Sequence, residues 1–147
     1  MIRNCGMLQF RRIESISNKN WGALTPIEFP NNIPFNIKRI YYIYDVENGV
    51  TRGFHSHKQL HQVLIAVHGS VKIKVKTPCE EEIVELNDPS VGLYIGPMVW
   101  REMFDFQDDA ILLVLASEKF DENDYIRDWD FYIQESKKLF CDNRLGE

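Results

Sequence analysis

The stretch Arg52-Gly-Phe-His-Ser-His57 places two of the chain's four histidines two residues apart, directly after an arginine and a glycine. In an extended strand, residues i and i+2 project to the same face. His55 and His57 therefore point together, with Gly53 beside them. If that face lines a cavity, the pair has three possible uses. Two imidazoles can begin a metal site, move protons at a pKa of about 6.5, or pack as hydrogen-bonded cavity residues. The run Lys38-Arg-Ile-Tyr-Tyr-Ile-Tyr44 precedes them. Its period of two sends Arg39, Tyr41 and Ile43 to one face and Ile40, Tyr42 and Tyr44 to the other. The guanidinium forks of Arg39 and Arg52 suit bidentate binding of phosphate oxygens. Gly53 lets a ligand approach the backbone. Tyrosine stacks on rings and donates its hydroxyl. Together these residues point to a phosphorylated, ring-containing ligand.

The elements that must hold them read as short strands. FNIKRIYYIYDV (35–46), LHQVLIAV (60–67), VKIKVK (71–76), EIVEL (82–86), VGLYIGP (91–97) and AILLVLA (110–116) are separated by turn residues. His68-Gly69-Ser70 reads as one of those turns. In VKIKVK, Val71, Ile73 and Val75 face inward while the lysines face water. AILLVLA reads as a strand buried on both faces. Many short strands at this spacing predict a β-sandwich or barrel. The tail changes period: DWDFYIQESKKLF (128–140) gathers Trp129, Tyr132, Ile133 and Phe140 on one side of a C-terminal helix.

At 147 residues with a net charge of −5, the chain reads as one domain spanning 1–147. The acidic balance argues against a nucleic-acid surface, which normally needs a basic patch. It permits an anionic small ligand held by a few clustered arginines. Cys5, Cys79 and Cys141 are odd in number and far apart, with no CxxC. They fit a reducing cytoplasm better than a disulfide framework. No apolar run is long enough to cross a bilayer and none resembles a signal peptide, so the chain reads as soluble and intracellular.

The intervals from Gly49 through His55, His57 and Gln62 to Gly69 resemble the first cupin motif. In metal-binding cupins both histidines and a glutamate at the third place bind a divalent metal, joined by a histidine from a second motif. Here the third place is Gln62, and Trp100-Arg101 stands where the second-motif histidine is expected. An amide is a weak ligand and a guanidinium has no lone pair to offer. Two ligands remain where catalytic zinc or iron usually needs three. The fold signal is strong and the metal signal weak.

The segment IKRIYYIYDVENGVTRGFHSHKQLHQVLIAVHGSVKIKV resembles the sugar nucleotide 3,4-ketoisomerases that act on dTDP-4-dehydro-6-deoxy-D-glucose. LNDPSVGLYIGPMVWREMFDF and VLASEKFDENDYIRDWD look like the same family, so the likeness runs over roughly residues 35–135. It implies an all-β cupin, or jelly-roll, barrel with no required metal or other cofactor, and a homodimer that exchanges N-terminal strands. It also implies transfer of the keto group from C4 to C3 of the hexose, in dideoxy amino sugar biosynthesis. Arg52, His55 and His57 match the family's RGxHxH run. The core from Arg52 to His55 is also similar to that of the dTDP-4-dehydrorhamnose 3,5-epimerases, in which the histidine removes a ring proton and the arginine contacts the diphosphate. The chain departs from some members at Arg101, where they carry histidine, and at Trp21-Gly22, where they carry arginine–glycine.

The expected mechanism has a neutral imidazole removing the C3 proton, made acidic by the C4 ketone. Tyr41, the other histidine and Arg101 stabilise the enediolate, and a proton returns at C4. His57 stands ahead of His55 as the base, although the sequence does not assign them. Arg39 and Arg52 hold the diphosphate, and Trp100 or Met103 packs against the C6 methyl. The competing readings are a 3,5-epimerase on the same sugar nucleotide, a metal-dependent oxygenase, and a cupin that binds the sugar nucleotide without turnover.

Overall fold

The computed structural model describes residues 1–14 and 21–141; the span 1–147 read as one domain includes 15–20 and 142–147, which lie outside the described residues. Among the described residues, ten strands and one α-helix follow in order: β1 (Cys5–Gln9), β2 (Ile13–Glu14), β3 (Ala23–Leu24), β4 (Arg39–Ile43), β5 (Arg52–His57), β6 (Gln62–Lys76), β7 (Glu81–Leu86), β8 (Val91–Ile95), β9 (Trp100–Ala116), β10 (Tyr125–Ile126) and α1 (Trp129–Cys141). Their pairings are antiparallel.

The spine is the pair β6 and β9, which run beside each other from Gln62↔Ala116 to Lys76↔Trp100. Each changes its other neighbour part-way. β6 pairs β8 at Gln62–Leu64 and β7 at Val71–Lys76. β9 pairs β5 through Arg101–Met103 and β4 through Leu112–Ala116. The two halves of each long strand thus belong to opposite walls, which gives the curled, jelly-roll form expected of a cupin. Leu64, Ile73, Leu93, Val99, Leu112 and Val114 fill the space between the walls and are almost wholly buried.

The bend depends on Gly69. The sequence reads His68-Gly69-Ser70 as the end of a strand, yet the chain continues as one strand of 15 residues. The pairing shifts register on both sides of His68 and again after Ser70. Gly69 has φ +66°, and a Cβ there would lie 2.3 Å from the carbonyl oxygen of Gln107. Only glycine fits this approach, so the residue makes a bulged corner rather than a reversal. Opposite it, Asp108 and Asp109 also take positive φ, and AILLVLA is the second half of a strand that begins at Trp100.

Period-two patterning holds elsewhere. Val71, Ile73 and Val75 are buried while the intervening lysines reach the surface side. In β4, Arg39, Tyr41 and Ile43 turn inward, and Ile40 and Tyr42 are exposed. The helix also presents its expected face. Asp128 caps it by accepting from the Phe131 N–H at 2.9 Å. The Tyr132 hydroxyl, carried inward by that face, donates to the carbonyl of Met98 at 2.7 Å and lies 3.1 Å from that of Lys76.

The cysteine expectation fails. Cys79 and Cys141 form a disulfide with their Cα atoms 5.8 Å apart, and Cys5 is free. The bond ties the β6–β7 turn to the end of α1. The partners are separated by 62 positions, and sequence spacing carried no trace of the bond; docking of the helix brings them together. Among the described residues, no helix is long and apolar enough to cross a membrane.

Candidate active site

β5 brings the histidines to the mouth of the barrel, and its geometry is irregular there. The register against β9 shifts between Gly53 and His55. Gly53 takes φ +98° and Phe54 φ +55°. A Cβ on Gly53 would stand 2.9 Å from the carbonyl oxygen of Arg101 and 3.2 Å from Cα of Glu102. The glycine therefore admits strand β9, where the sequence suggests an approaching ligand, and the bulge it permits aims His55. Gly53→Ala should cost about 1–3 kcal/mol through backbone strain, read as a lower midpoint in urea unfolding; an unchanged midpoint would show that the bulge tolerates a side chain.

His55 and His57 share one face, as the spacing requires, with ring centroids 4.9 Å apart and edge to face. Their exposures differ. His55 is half-buried, whereas His57 is 1% exposed and its Nε2 is sealed without a hydrogen-bond partner. Each uses its Nδ1 inside the protein: His55 meets the Gly53 carbonyl at 3.0 Å, and His57 meets Asp124 Oδ2 at 3.0 Å. The carbonyl can only accept, so His55 is the Nδ1–H tautomer and its Nε2 carries the lone pair. Burial and the nearby Arg101 charge push the His55 pKa down to about 4. Burial, Arg101 and then His55 lower that of His57 as well. Both rings are neutral near pH 7, so the His57–Asp124 contact is a hydrogen bond donated by a neutral imidazole to the carboxylate and not an ion pair.

Two adjoining clefts open here, of about 370 and 700 Å³. Arg39, Phe120 and Tyr125 line both; His55 faces the smaller and His57 borders the larger. The smaller also collects Tyr41, Arg52, Met103 and Arg127. Arg39 lies over the rings of Tyr41 and Phe120, at 5.2 and 5.8 Å. Its Nε is buried without a partner. Tyr41 accepts from Gln62 Nε2 at 3.0 Å, which leaves its own proton free to donate. Burial raises its pKa despite the Gln62 bond, so the phenol stays protonated. The arrangement joins anion-binding guanidinium groups, a phenol donor and an unprotonated imidazole on one wall.

Two sequence candidates are placed elsewhere. Arg101 is almost wholly buried and lines neither cleft. Its guanidinium bonds to Gln62 Oε1 and, at 2.9 Å, to the Val99 carbonyl. It acts on the histidines by charge from beneath. Trp100, one residue before it on β9, projects to the opposite side and packs against Trp129 and Tyr132. It braces the helix and lines neither cleft, whereas Met103 lines the smaller one. The Gln62–Arg101 bond also bears on a metal. The third-ligand position spends its amide oxygen on a fixed cation, so these residues do not fit one, and no three His, Cys, Asp or Glu side chains among the described residues converge as ligands.

Sequence reasoning missed Phe120, Asp124, Tyr125 and Arg127. Tyr125 packs on both histidines, at 4.9 and 4.3 Å between centroids. Arg127 lies over the Tyr125 ring at 4.2 Å while bonding both carboxylate oxygens of Glu122. β10, a strand of two residues, sets Tyr125 opposite His57. The two positions are far apart in the chain, and so short a strand leaves no periodic signal.

Residues 3–137 match the family model described as "FdtA: WxcM-like, C-terminal". The chain belongs to this family. The FdtA-like chain is 49% identical over 109 residues to a TDP-4-oxo-6-deoxy-alpha-D-glucose-3,4-oxoisomerase of Aneurinibacillus thermoaerophilus, covering 74% of this chain and 78% of that protein. It is 60% identical to the 3,4-ketoisomerase QdtA of Thermoanaerobacterium thermosaccharolyticum. That structure is a histidine-to-asparagine mutant in complex with TDP-4-keto-6-deoxyglucose; the TM-score is 0.91, with 96% and 99% of the two chains covered. It is 44% identical to the TDP-quinovose 3,4-ketoisomerase WlaRB of Campylobacter jejuni, with a TM-score of 0.84 over 90% and 99% of the chains.

Proposed function

We propose that this FdtA-family chain is a sugar nucleotide 3,4-ketoisomerase that converts dTDP-4-dehydro-6-deoxy-D-glucose to its 3-dehydro isomer by acid–base chemistry through an enediolate. The observation that carries the reading is the unprotonated Nε2 of His55 on the same cleft wall as Arg39, Arg52 and Tyr41. The ketoisomerases it matches over most of their length supply the substrate class. A 3,5-epimerase must also exchange the C5 proton, and relatives of that activity do not lead the similarity.

In this reading His55, not His57, takes the C3 proton. Its ring is the one open to the cleft that gathers the arginines, whereas His57 is sealed. The electrons of the broken C3–H bond move to O4 of the ketone, forming the enediolate. Tyr41 donates to the developing charge. The imidazolium proton of His55 exchanges with solvent in the open cleft, and a proton is then delivered at C4, while the O3 hydroxyl proton passes to O4. Arg39 and Arg52 hold the diphosphate; Arg52 has no hydrogen bond or ion pair among the described residues and is free for it. Met103 offers an apolar contact for the C6 methyl.

The partner of this site is accordingly the dTDP-linked keto sugar. A second copy that exchanges N-terminal strands belongs to the same reading. It is supported by the β2–β3 pair, which stands apart from the main sheet with Trp21 75% and Leu24 60% exposed. A cytoplasmic location, where sugar nucleotides are made, goes with it on the substrate's account and not on that of the cysteines, since Cys79 and Cys141 are joined. Incubation with dTDP-4-dehydro-6-deoxy-D-glucose and NMR of the product tests the reaction: the 3-keto isomer is expected, with solvent deuterium entering at the C3/C4 pair. Label at C5 would identify an epimerase, and binding without turnover a non-catalytic protein.

The pH profile follows from the His55 environment. The active form is neutral, and the folded pKa of about 4 lies below the unfolded 6.5. Turnover should stay flat from neutral pH to about 5 and fall roughly tenfold per unit below about 4. Stability should begin to fall earlier, because between 6.5 and about 4 the unfolded chain binds the proton and the folded chain does not. A rate limb near 6.5 in stopped-flow kinetics would place the base elsewhere.

A further inference from the structure

We propose that Asp124 is a positioning residue for this reaction: it fixes His57 as the Nδ1–H tautomer, so that the ring packed edge to face on His55 carries an unprotonated Nε2. The inference rests on the ketoisomerase reading for its rate arm alone.

Asp124 is held from three sides by the segment that follows β5. Its Oδ1 accepts from the Gln59 N–H at 2.9 Å, its carbonyl from the Lys58 N–H at 2.9 Å, and its Oδ2 faces His57 Nδ1 at 3.0 Å. The carboxylate therefore has one orientation and one oxygen to give the imidazole. An ionised carboxylate only accepts, so the proton of a neutral His57 must sit on Nδ1. Nε2 is then a buried acceptor with no partner, on a ring whose centroid lies 4.3 Å from that of Tyr125. A buried polar atom without a partner needs a reason. Here the Asp124 bond keeps a proton off the atom where one would be a buried, unsatisfied donor in the ring beside His55. Fixing the His57 ring also fixes the face against which His55 rests, 4.9 Å away.

Asp124→Asn tests this with little change of shape. The oxygen of the new amide would keep the Gln59 N–H bond, and its N–H₂ would face His57 Nδ1. That donor forces Nδ1 to become the acceptor and moves the proton to Nε2. Nitrogen-15 NMR of the histidine rings reads the tautomer directly. The expected result has three parts: His57 switches from Nδ1–H to Nε2–H, kcat falls at least about tenfold, as tautomer-setting partners usually show, and KM and the dTDP Kd stay within about twofold of the parent. Asp124→Ala, which also removes the Gln59 anchor, should lower the unfolding midpoint as well. A switched tautomer with unchanged kcat would overturn the positioning role, and so would an unchanged tautomer. A drop in kcat that follows lost stability in both variants, with no tautomer switch, would show a structural role only. If the parent protein turns over no keto sugar, the ketoisomerase reading fails while the tautomer result still stands or falls by itself.

Discussion

His55→Asn should lower turnover of dTDP-4-dehydro-6-deoxy-D-glucose by about 10²–10⁴-fold, the usual contribution of a positioned acid–base group, while dTDP affinity stays within a small factor. The reason is geometric. The imidazole spends Nδ1 on the Gly53 carbonyl, and its neutral Nε2 is left for the cleft that holds Arg39 and Arg52. Asparagine can keep the bond to Gly53 through its N–H₂, so the strand should hold its shape, but it offers no basic nitrogen. Calorimetry with dTDP beside a single-turnover assay separates the two effects. His57→Asn provides the comparison. If it abolishes turnover while His55→Asn leaves most of it, the sealed histidine becomes reachable on binding and is the base, as the sequence alone had ranked it. Equal loss of affinity and rate in His55→Asn would make His55 a ligand-positioning residue instead.

Tyr41→Phe should lower kcat by about 10²–10³-fold with little change in KM, the effect expected when one donor to a developing oxyanion is lost. Tyr41 suits that task because its acceptor capacity is already engaged by Gln62, in turn held by Arg101, so the phenol proton points away from the protein's own hydrogen bonds. Burial keeps that proton on the oxygen. Phenylalanine fills nearly the same volume, so packing against the core and the Arg39 guanidinium is retained. The cost to stability should be small, although Gln62 Nε2 loses its acceptor. A matching rise in KM without a fall in kcat would mean that Tyr41 binds the ground state and does not distinguish the transition state.

The chain's residues make both positive and misleading signals, and the difference between them is physical. The inward face Arg39, Tyr41 and Ile43 and the shared face of His55 and His57 were legible because strand side chains alternate strictly. Only the register against β9 could break the rule, and the bulge at Gly53 shifts it without separating the pair. Arg101 misled because its charge marks it as a ligand contact. Whether a guanidinium meets solvent or an amide depends on which wall of the barrel lies behind it, and here that wall carries Gln62. Trp100 misled for the same reason by one position: alternation on β9 sends neighbours to opposite sides, toward the barrel interior and toward α1. Tyr125 and Asp124 left no signal, since nothing local relates them to the distant β5 positions they meet.

By itself the sequence determined the strand faces, the all-β sandwich-or-barrel class, and the pairing of two imidazoles with arginine and tyrosine. Each of these depends on residue type and short-range spacing, which the chain carries wherever it folds. The tertiary structure alone decided which imidazole is open and which is sealed, which tautomer each takes, and that Arg101 tunes them from below. It also decided that Cys79 meets Cys141. Those properties come from contacts between distant segments, β5 with β10 and the β6–β7 turn with α1, and contact between such segments exists only once the barrel has closed.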